Sequence, residues 1–441
     1  MASMRDLRQA ASFAKALYAD KALRAYHAFG RRDPLSRMAY GPWRRNPYPS
    51  YEMVRSRGPF VRNRFGHQTT VDHAICKEIL RSRRFGPRPE WQANRPGEEG
   101  GDLSFLGYNP PDHSRLRRLA APAFSPRQME GYQPLIQSCV DDLLDIAERA
   151  GSFELVSSFA APLPIAVITR LMGITANETD EFARYGAAIG TALSGVTSLR
   201  HAARLMEADQ ALEGIFARLF ELRRREPKDD VVSYIVAAEG DSITPAEMVP
   251  LCTLLLVAGF ETTVNAIGNG VMAFMAHREQ WQHLVADPSL AQRAVEEVLR
   301  YDAPVQGTSR TSFDDTTVGG QAIAEDEFVQ LRLGGANRDP AVFENPDRFD
   351  ILRANASEHL AFSGGIHYCL GAPLARLELE IAFASLARRL PQLRQAKGRV
   401  KYRRSLVIHA RPPCPCVPAD RPHRSHLLMR VVQLHDPHQK M

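Results

Sequence analysis

The chain has 441 residues, 44% of them hydrophobic and 24% charged, with a formal net charge of +6. That balance is typical of a globular protein with a sizeable core and excludes a fibrous or wholly disordered chain. No apolar run reaches the roughly 20 residues of a membrane span, the N-terminus lacks a secretory layout, and cysteines 76, 139, 252, 369, 414 and 416 are too scattered for a disulfide framework, so the expected location is a reducing cytoplasm.

The charge is uneven. Residues 1–45 hold ten Lys or Arg against three Asp, a surplus of seven that covers the whole excess. Within them, residues 5–29 place Leu7, Ala11, Ala14, Leu17 and Tyr18 at helical spacing. A basic amphipathic segment of this kind can lie on an anionic membrane surface. The alanine-rich apolar face favours the plainer alternative, packing on the chain's own body. Nucleic acid is not an expected partner, because no recognition motif and no aromatic-basic interleaving is present.

A proline-punctuated stretch, 34–49, leads to two short strands between Pro59 and Val71, turning at Gly66. Asp72 to Arg81 reads as a helix. Residues 86–112 form a long Gly/Pro/Glu-rich connection, either a binding lid or disorder. His113 and Arg117 then open a helix four residues apart, on one face. Two such donors suit a pair of carboxylates; a solvated basic face is the alternative. From Met129 to Glu239 the pattern is helical, broken at Gly151 and near Pro227. Its small, apolar stretch 187–196 is either a mobile roof or an interhelix loop.

Thr244-Pro245-Ala246-Glu247 combines an N-cap, a proline at the first helical position and a capping-box glutamate. The helix it opens should run to Ala276, apolar on nearly all sides and therefore central. Ala258-Gly259-Phe260-Glu261-Thr262-Thr263 interrupts that apolar surface. A buried glutamate is costly unless paired or working, and Gly259 makes room against the backbone. An acid beside an alcohol next to such a gap suits a proton relay; a kinked helix with a back-bonded threonine is the alternative. Glu297 and Arg300 can pair on a further helix, and Gly319-Gly320 is the turn of a hairpin.

The stretch Phe362-Ser363-Gly364-Gly365-Ile366-His367-Tyr368-Cys369-Leu370-Gly371 precedes another helix. Its glycines allow close approach to something flat or bulky. A thiolate at a helix N-terminus, ringed by amide N–H groups, is a stabilised anion and a ligand for a soft metal; a buried structural cysteine is the plainer alternative. The loop resembles the signature Phe-x-x-Gly-x-His-x-Cys-x-Gly of the cytochrome P450 family. Three further motifs agree in order and spacing: His113-x-x-x-Arg117, Gly259-x-Glu261-Thr262 and Glu297-x-x-Arg300.

The resemblance covers roughly residues 45–410 and implies a mainly α fold with a small β-rich region. Haem b (iron-protoporphyrin IX) would lie in this single domain between the long central helix and the cysteine loop. Cys369 would ligate the iron, with Ala258, Gly259 and Gly371 beside the cofactor. His113, Arg117, Arg310 and His367 would meet the propionates as cations, and Gln306, Gly307 and Thr308 would flank the substrate. Glu261 and Thr262 would deliver protons to activated O2. Glu297 and Arg300 would join a third residue from Pro346-Asp347-Arg348-Phe349, as structure rather than catalysis. The implied activity is a monooxygenase acting on an apolar small molecule (lipid, terpenoid or polyketide-like). Electrons would come from a ferredoxin and ferredoxin reductase, docking on a basic face of Arg115, Arg118 and Arg376. A peroxide-driven peroxygenase and a non-enzymatic haem- or lipid-binding sensor are the alternatives. The expected division is a basic N-terminal helical extension (1–45), the family domain (46–410), and a disordered Pro/His/Arg-rich tail (411–441). A metal site at Cys414 and Cys416 with nearby histidines is conceivable there.

Overall fold

A computed structural model describes residues 4–64, 66–87, 104–175, 178–194, 196–396 and 415–417. The apolar run after Thr244 forms a 32-residue helix, Pro245–Ala276, whose capping box is complete. The Thr244 N–H donates to Glu247 at 2.9 Å, a cap whose loss costs roughly 1 kcal/mol. It is the one described helix long and apolar enough to cross a membrane, and most of it is buried inside the body.

Other helices wrap this axis. Pro162–Met172, Thr179–Gly190, Ala291–Tyr301 and Ala372–Arg389 all pack on it. One continuous core joins them, with Phe274 at its lower end meeting Trp281, Phe349 and Phe383 edge-on at 5.3–5.6 Å. Such aromatic contacts add about 0.5–1.5 kcal/mol beyond the area they bury.

The β portion is small. Strands Val61–Arg62, Gln68–Thr70, Phe328–Leu331, Thr308–Ser312 and Phe85–Gly86 lie side by side in that order. Thr308 pairs with Leu331 and Arg310 with Val329, so the sheet fixes where Arg310 leaves the backbone. The expected hairpin is present as Thr316–Val318 and Gln321–Ile323. Its turn needs glycine because Gly319 and Gly320 both have positive φ, +56° and +77°.

Two expected boundaries shift. Pro34–Arg37 is a helix, and Leu35 and Met38 are buried with Tyr48, Tyr51 and Val54, so the body reaches back before residue 46. The charge bias that suggested that boundary does not track burial. In the tail, Pro415–Val417 forms a strand between Phe153–Glu154 and Arg394–Gln395. Disorder from 411 onward was therefore too broad an expectation: backbone pairing can recruit a proline-rich segment whose composition suggests none. The Gly/Pro/Glu-rich stretch at 88–103, the hairpin region 402–409, Cys414 and the tail histidines lie outside the described residues.

The third partner of Glu297 and Arg300 also differs from expectation. Both residues are fully buried, and Arg300 donates to the two carboxylate oxygens of Glu297 at 2.7 and 2.8 Å. The side chain that joins them is Arg353, 3.3 Å from Glu297. Pro346 and Arg348 contribute carbonyl oxygens to Arg300 instead. The Arg348 side chain is exposed, 3.7 Å from Asp350.

Candidate active site

Halfway along the central helix the buried surface opens. Ala258 is exposed and Gly259 and Thr262 are partly so, between the buried Val257 and Ala266. These positions share one helix face. Here side chains return hydrogen bonds to the preceding turn. Thr262 Oγ1 donates to the Ala258 carbonyl at 2.7 Å, Thr263 Oγ1 to Gly259 at 3.1 Å, and Asn265 Nδ2 to Glu261 at 2.7 Å. Back-bonding of this kind loosens a helix locally.

Glu261 takes a neighbouring face and is buried. Asn265 Nδ2 reaches its carboxylate at 3.3 Å. Gly190 lies against the same carboxylate, and a Cβ there would stand 3.8 Å from Oε2. The stretch foreseen as roof or loop is thus mainly helix end. Thr179–Gly190 packs directly on the central helix because Gly186 leaves space for Leu256.

The cysteine loop comes from the other side. Its backbone is tied by Cys369 N–H donating to Phe362 at 2.9 Å. Gly365 has φ +62°, and a Cβ there would collide with the Leu80 carbonyl. Gly364 likewise faces Leu80, at 3.2 Å. These two glycines therefore serve the approach of the loop to the helix His73–Arg81. A Cβ on Gly371 would meet nothing nearer than Phe124 at 3.8 Å. Cys369 keeps exposed surface, yet it lies deep enough that burial pushes its thiol upward; the Gly371 and Ala372 N–H groups and the charges of Arg117 and Arg376 pull the other way. A residue both deep and exposed borders an internal cleft.

Beside that cysteine lies a buried basic group. His113 and His367 have ring centroids 4.2 Å apart. Both His113 nitrogens and His367 Nε2 are buried without a hydrogen-bond partner. Arg310 is buried, and donates only to the Ser309 carbonyl and the Thr308 hydroxyl, at 2.7 and 3.2 Å. Arg117 donates to the Tyr368 carbonyl at 2.7 Å, which links its helix to the cysteine loop. Burial, then the neighbouring Arg117 and Arg310 charges, pushes His113 down to about 4. Burial, with Arg310, His113 and Arg117 behind it, pushes His367 to about 3. Burial and the neighbouring guanidinium charges thus favour the neutral form of both imidazoles, and an anion bound beside them works the other way. Two guanidinium charges and two imidazoles meet here with no carboxylate among the described residues, an arrangement that fits a dianion such as the propionate pair of haem.

Other expectations shift as well. Gln306 is buried away from any cleft; its side-chain oxygen accepts from Tyr51 at 3.0 Å and its amide donates to Ala303 at 2.8 Å. Arg115 is bound to Glu247 at 2.7 Å and Arg376 to Glu296 at 2.6 Å. Of the three arginines assigned to a partner face, Arg118 alone is exposed without such a bond among the described residues. Sequence reasoning missed Asn265 and Glu378. Glu378 is buried on Ala372–Arg389, where burial pushes it to about 8, against a hydrogen bond from Thr263. An acid inside an otherwise apolar helix was the available signal. No group of metal-binding side chains occurs among the described residues.

The family model for cytochrome P450 matches residues 33–410. Cytochrome P450 107B1 of Saccharopolyspora erythraea is 40% identical over 334 residues, covering 75% of this chain and 80% of that protein. The biotin biosynthesis cytochrome P450 of Bacillus subtilis is 36% identical over 378 residues, 81% of this chain and 93% of that protein. Among solved structures, P450BioI in complex with hexadec-9Z-enoic acid ligated acyl carrier protein superposes with TM-score 0.78 at 35% identity, covering 85% of this chain and 98% of that one. A myxobacterial cytochrome P450 in complex with myristic acid gives 0.78 at 34%, covering 87% and 99%. The chain belongs to the cytochrome P450 family. It has that family's mainly helical single-domain fold, is a monooxygenase, and takes haem b as its cofactor.

Proposed function

We propose that this cytochrome P450 inserts one oxygen atom from O2 into an apolar small molecule of lipid, terpenoid or polyketide type, with electrons from a ferredoxin and its reductase. The observation that carries the reading is the pairing of Cys369, with amide N–H groups aimed at its sulfur, and a two-arginine, two-imidazole cluster in which three imidazole nitrogens lack partners among the described residues. Cys369 would ligate the iron. His113, Arg117, Arg310 and His367 would hold the propionates, the two histidines as donors. Ala258 and Gly259 would leave room for the ring, and the Gly371 N–H would steady the thiolate. Bound haem supplies O2 binding, its reductive activation and the oxidising power for the substrate.

The remaining steps belong to side chains. Thr262 has its proton engaged with the Ala258 carbonyl, so its oxygen is left to accept a hydrogen bond from a water in the cleft. Glu261 is the acid one position away. Delivering its proton to the cleft requires it to leave Asn265 and swing past Gly190, where only hydrogen occupies the side-chain position. Lipid substrates gain support from the fatty-acyl and fatty-acid complexes of two structural relatives. Ile366 and Tyr368, each 40% exposed beside Cys369, and the exposed Arg118 offer a surface for an acidic ferredoxin.

The reduced carbon monoxide spectrum of the purified protein tests ligation: Cys369→His should abolish the thiolate form, and retention of the parent spectrum overturns the assignment. Turnover with peroxide alone as fast as with the ferredoxin pair would favour a peroxygenase. A spectral-shift screen against fatty acids, sterols and macrolide-like compounds decides the substrate class.

A further inference from the structure

The N-terminal helix is unlike every other long helix of the molecule. Met4–Ala25 spans 22 residues, yet none of its described side chains, 11–25, is buried. It touches its own body without burying a described side chain there. Among its described side chains, the bonds that hold it to the body lie toward its C-terminal end. Lys21 Nζ donates to the Thr197 carbonyl, Asp20 pairs with Arg64 at 2.6 Å, and Tyr40 donates to the Lys21 carbonyl at 3.3 Å. The family model begins at residue 33, and relatives that superpose over 98–99% of their own length leave over a tenth of this chain unmatched. The fold does not need this helix for its core.

What the helix displays is apolar and basic together. Phe13, Tyr18 and Leu23 are 43%, 51% and 43% exposed, and the one-turn continuation Tyr26–Gly30 adds Tyr26 and Phe29, both 56% exposed. These residues are strung along about 25 Å of helix at 1.5 Å per residue. Tyr18, Leu23, Tyr26 and Phe29 fall within one broad arc of the helix, and Phe13 lies on the other side. Lys15, Arg31 and Arg32 are exposed on the same segment, within the N-terminal 45 residues that carry ten cations and three acids. Exposed aromatic side chains flanked by Lys and Arg match the interface of a bilayer with anionic headgroups, aromatic rings at headgroup depth and cations at the phosphates. A second copy of the chain is disfavoured as occupant, because it would bring like charge against like.

We propose that residues 11–32 dock this protein peripherally on an anionic lipid surface, without crossing it. The anchors at Thr197 and Arg64 then fix how the body stands on the bilayer. Docking is independent of the substrate and electron source proposed above.

The test uses the full-length holoprotein in co-sedimentation with vesicles of phosphatidylcholine alone or mixed with phosphatidylglycerol, at low and high salt. Binding should favour the anionic vesicles and weaken with salt, since the attraction is screened. The double variant Lys15→Glu/Arg31→Glu should lose at least about tenfold in vesicle affinity, each basic residue near the surface contributing about that order. Leu23→Ser/Tyr26→Ser should lose a similar factor, less sensitive to salt. Both keep the parent's reduced carbon monoxide spectrum, which shows that the body is folded. Equal sedimentation of parent and variants overturns the proposal. So does failure of the parent to bind anionic vesicles, including the case in which it self-associates with rising concentration.

Discussion

Two buried clusters of charge in this fold are settled in opposite ways. Around Arg300 every guanidinium nitrogen has an acceptor: both Glu297 oxygens and the carbonyls of Asn337, Pro346 and Arg348. Around Arg310 no carboxylate pairs with it among the described residues, and three imidazole nitrogens close by have no partner there either. Burying a charge is costly unless it is paired. The first cluster meets that cost internally and is architecture. The second leaves it unmet among the described residues, which is what the proposed anion site would relieve.

The sharpest way to break this contrast is to remove one arginine from each cluster. Arg300→Ala strands Glu297 at zero exposure, and breaking such a pair costs about 3–5 kcal/mol. Denaturant titration should show that loss with or without haem. Arg310→Ala removes an unpaired buried charge, so the haem-free protein should be as stable as the parent or more so. Its haem should transfer to an acceptor apoprotein about tenfold to a hundredfold faster, the worth of one or two charge-assisted hydrogen bonds. If Arg310→Ala destabilises the haem-free protein as much as Arg300→Ala does, the distinction fails.

Thr262→Ala lies outside both clusters and should leave haem retention unchanged. Under the proposed mechanism it diverts electrons to peroxide, read as peroxide formed per NADPH consumed. Unchanged coupling would remove Thr262 from the proton path. The smallest effect is expected at Glu296, which Arg376 and His359 contact at 2.6 and 3.3 Å. Although burial works in the opposite direction, those partners hold its carboxyl below 4.5, at about 2. A depressed folded value means the stabilisation is complete above the unfolded value and fades as pH falls from about 4.5 to about 2. Glu296→Gln should flatten the acid limb of melting temperature against pH over that window and leave neutral-pH stability within about 1 kcal/mol of the parent, since the pair is partly exposed.

Much of this contrast was legible in the residue order. The capping box at Thr244, the hairpin at Gly319-Gly320 and the pairing of Glu297 with Arg300 follow from local rules, and the structure keeps them. What was not legible depends on distant neighbours. Arg353 replaces the expected third partner because a chain turn, not a spacing, brings it to Glu297. His113 and His367 are pushed toward the neutral form by burial and by arginines distant in sequence, and their rings meet although more than 250 positions separate them. Gln306 turns into the body because Tyr51 offers it a hydroxyl there. Gly364 and Gly365 proved to serve Leu80, since a glycine reports that something is close without saying what. In each case the residue type was informative and its partner was not.

The link from Arg117 to the Tyr368 carbonyl has a consequence for how the protein matures. It ties the helix carrying His113 to the loop carrying Cys369, across the cluster where two guanidinium charges repel. Closing that link draws like charges together, and the incoming dianion relieves the repulsion. Folding of the last quarter and loading of the cofactor are therefore one linked equilibrium, in which ligand concentration adds directly to stability.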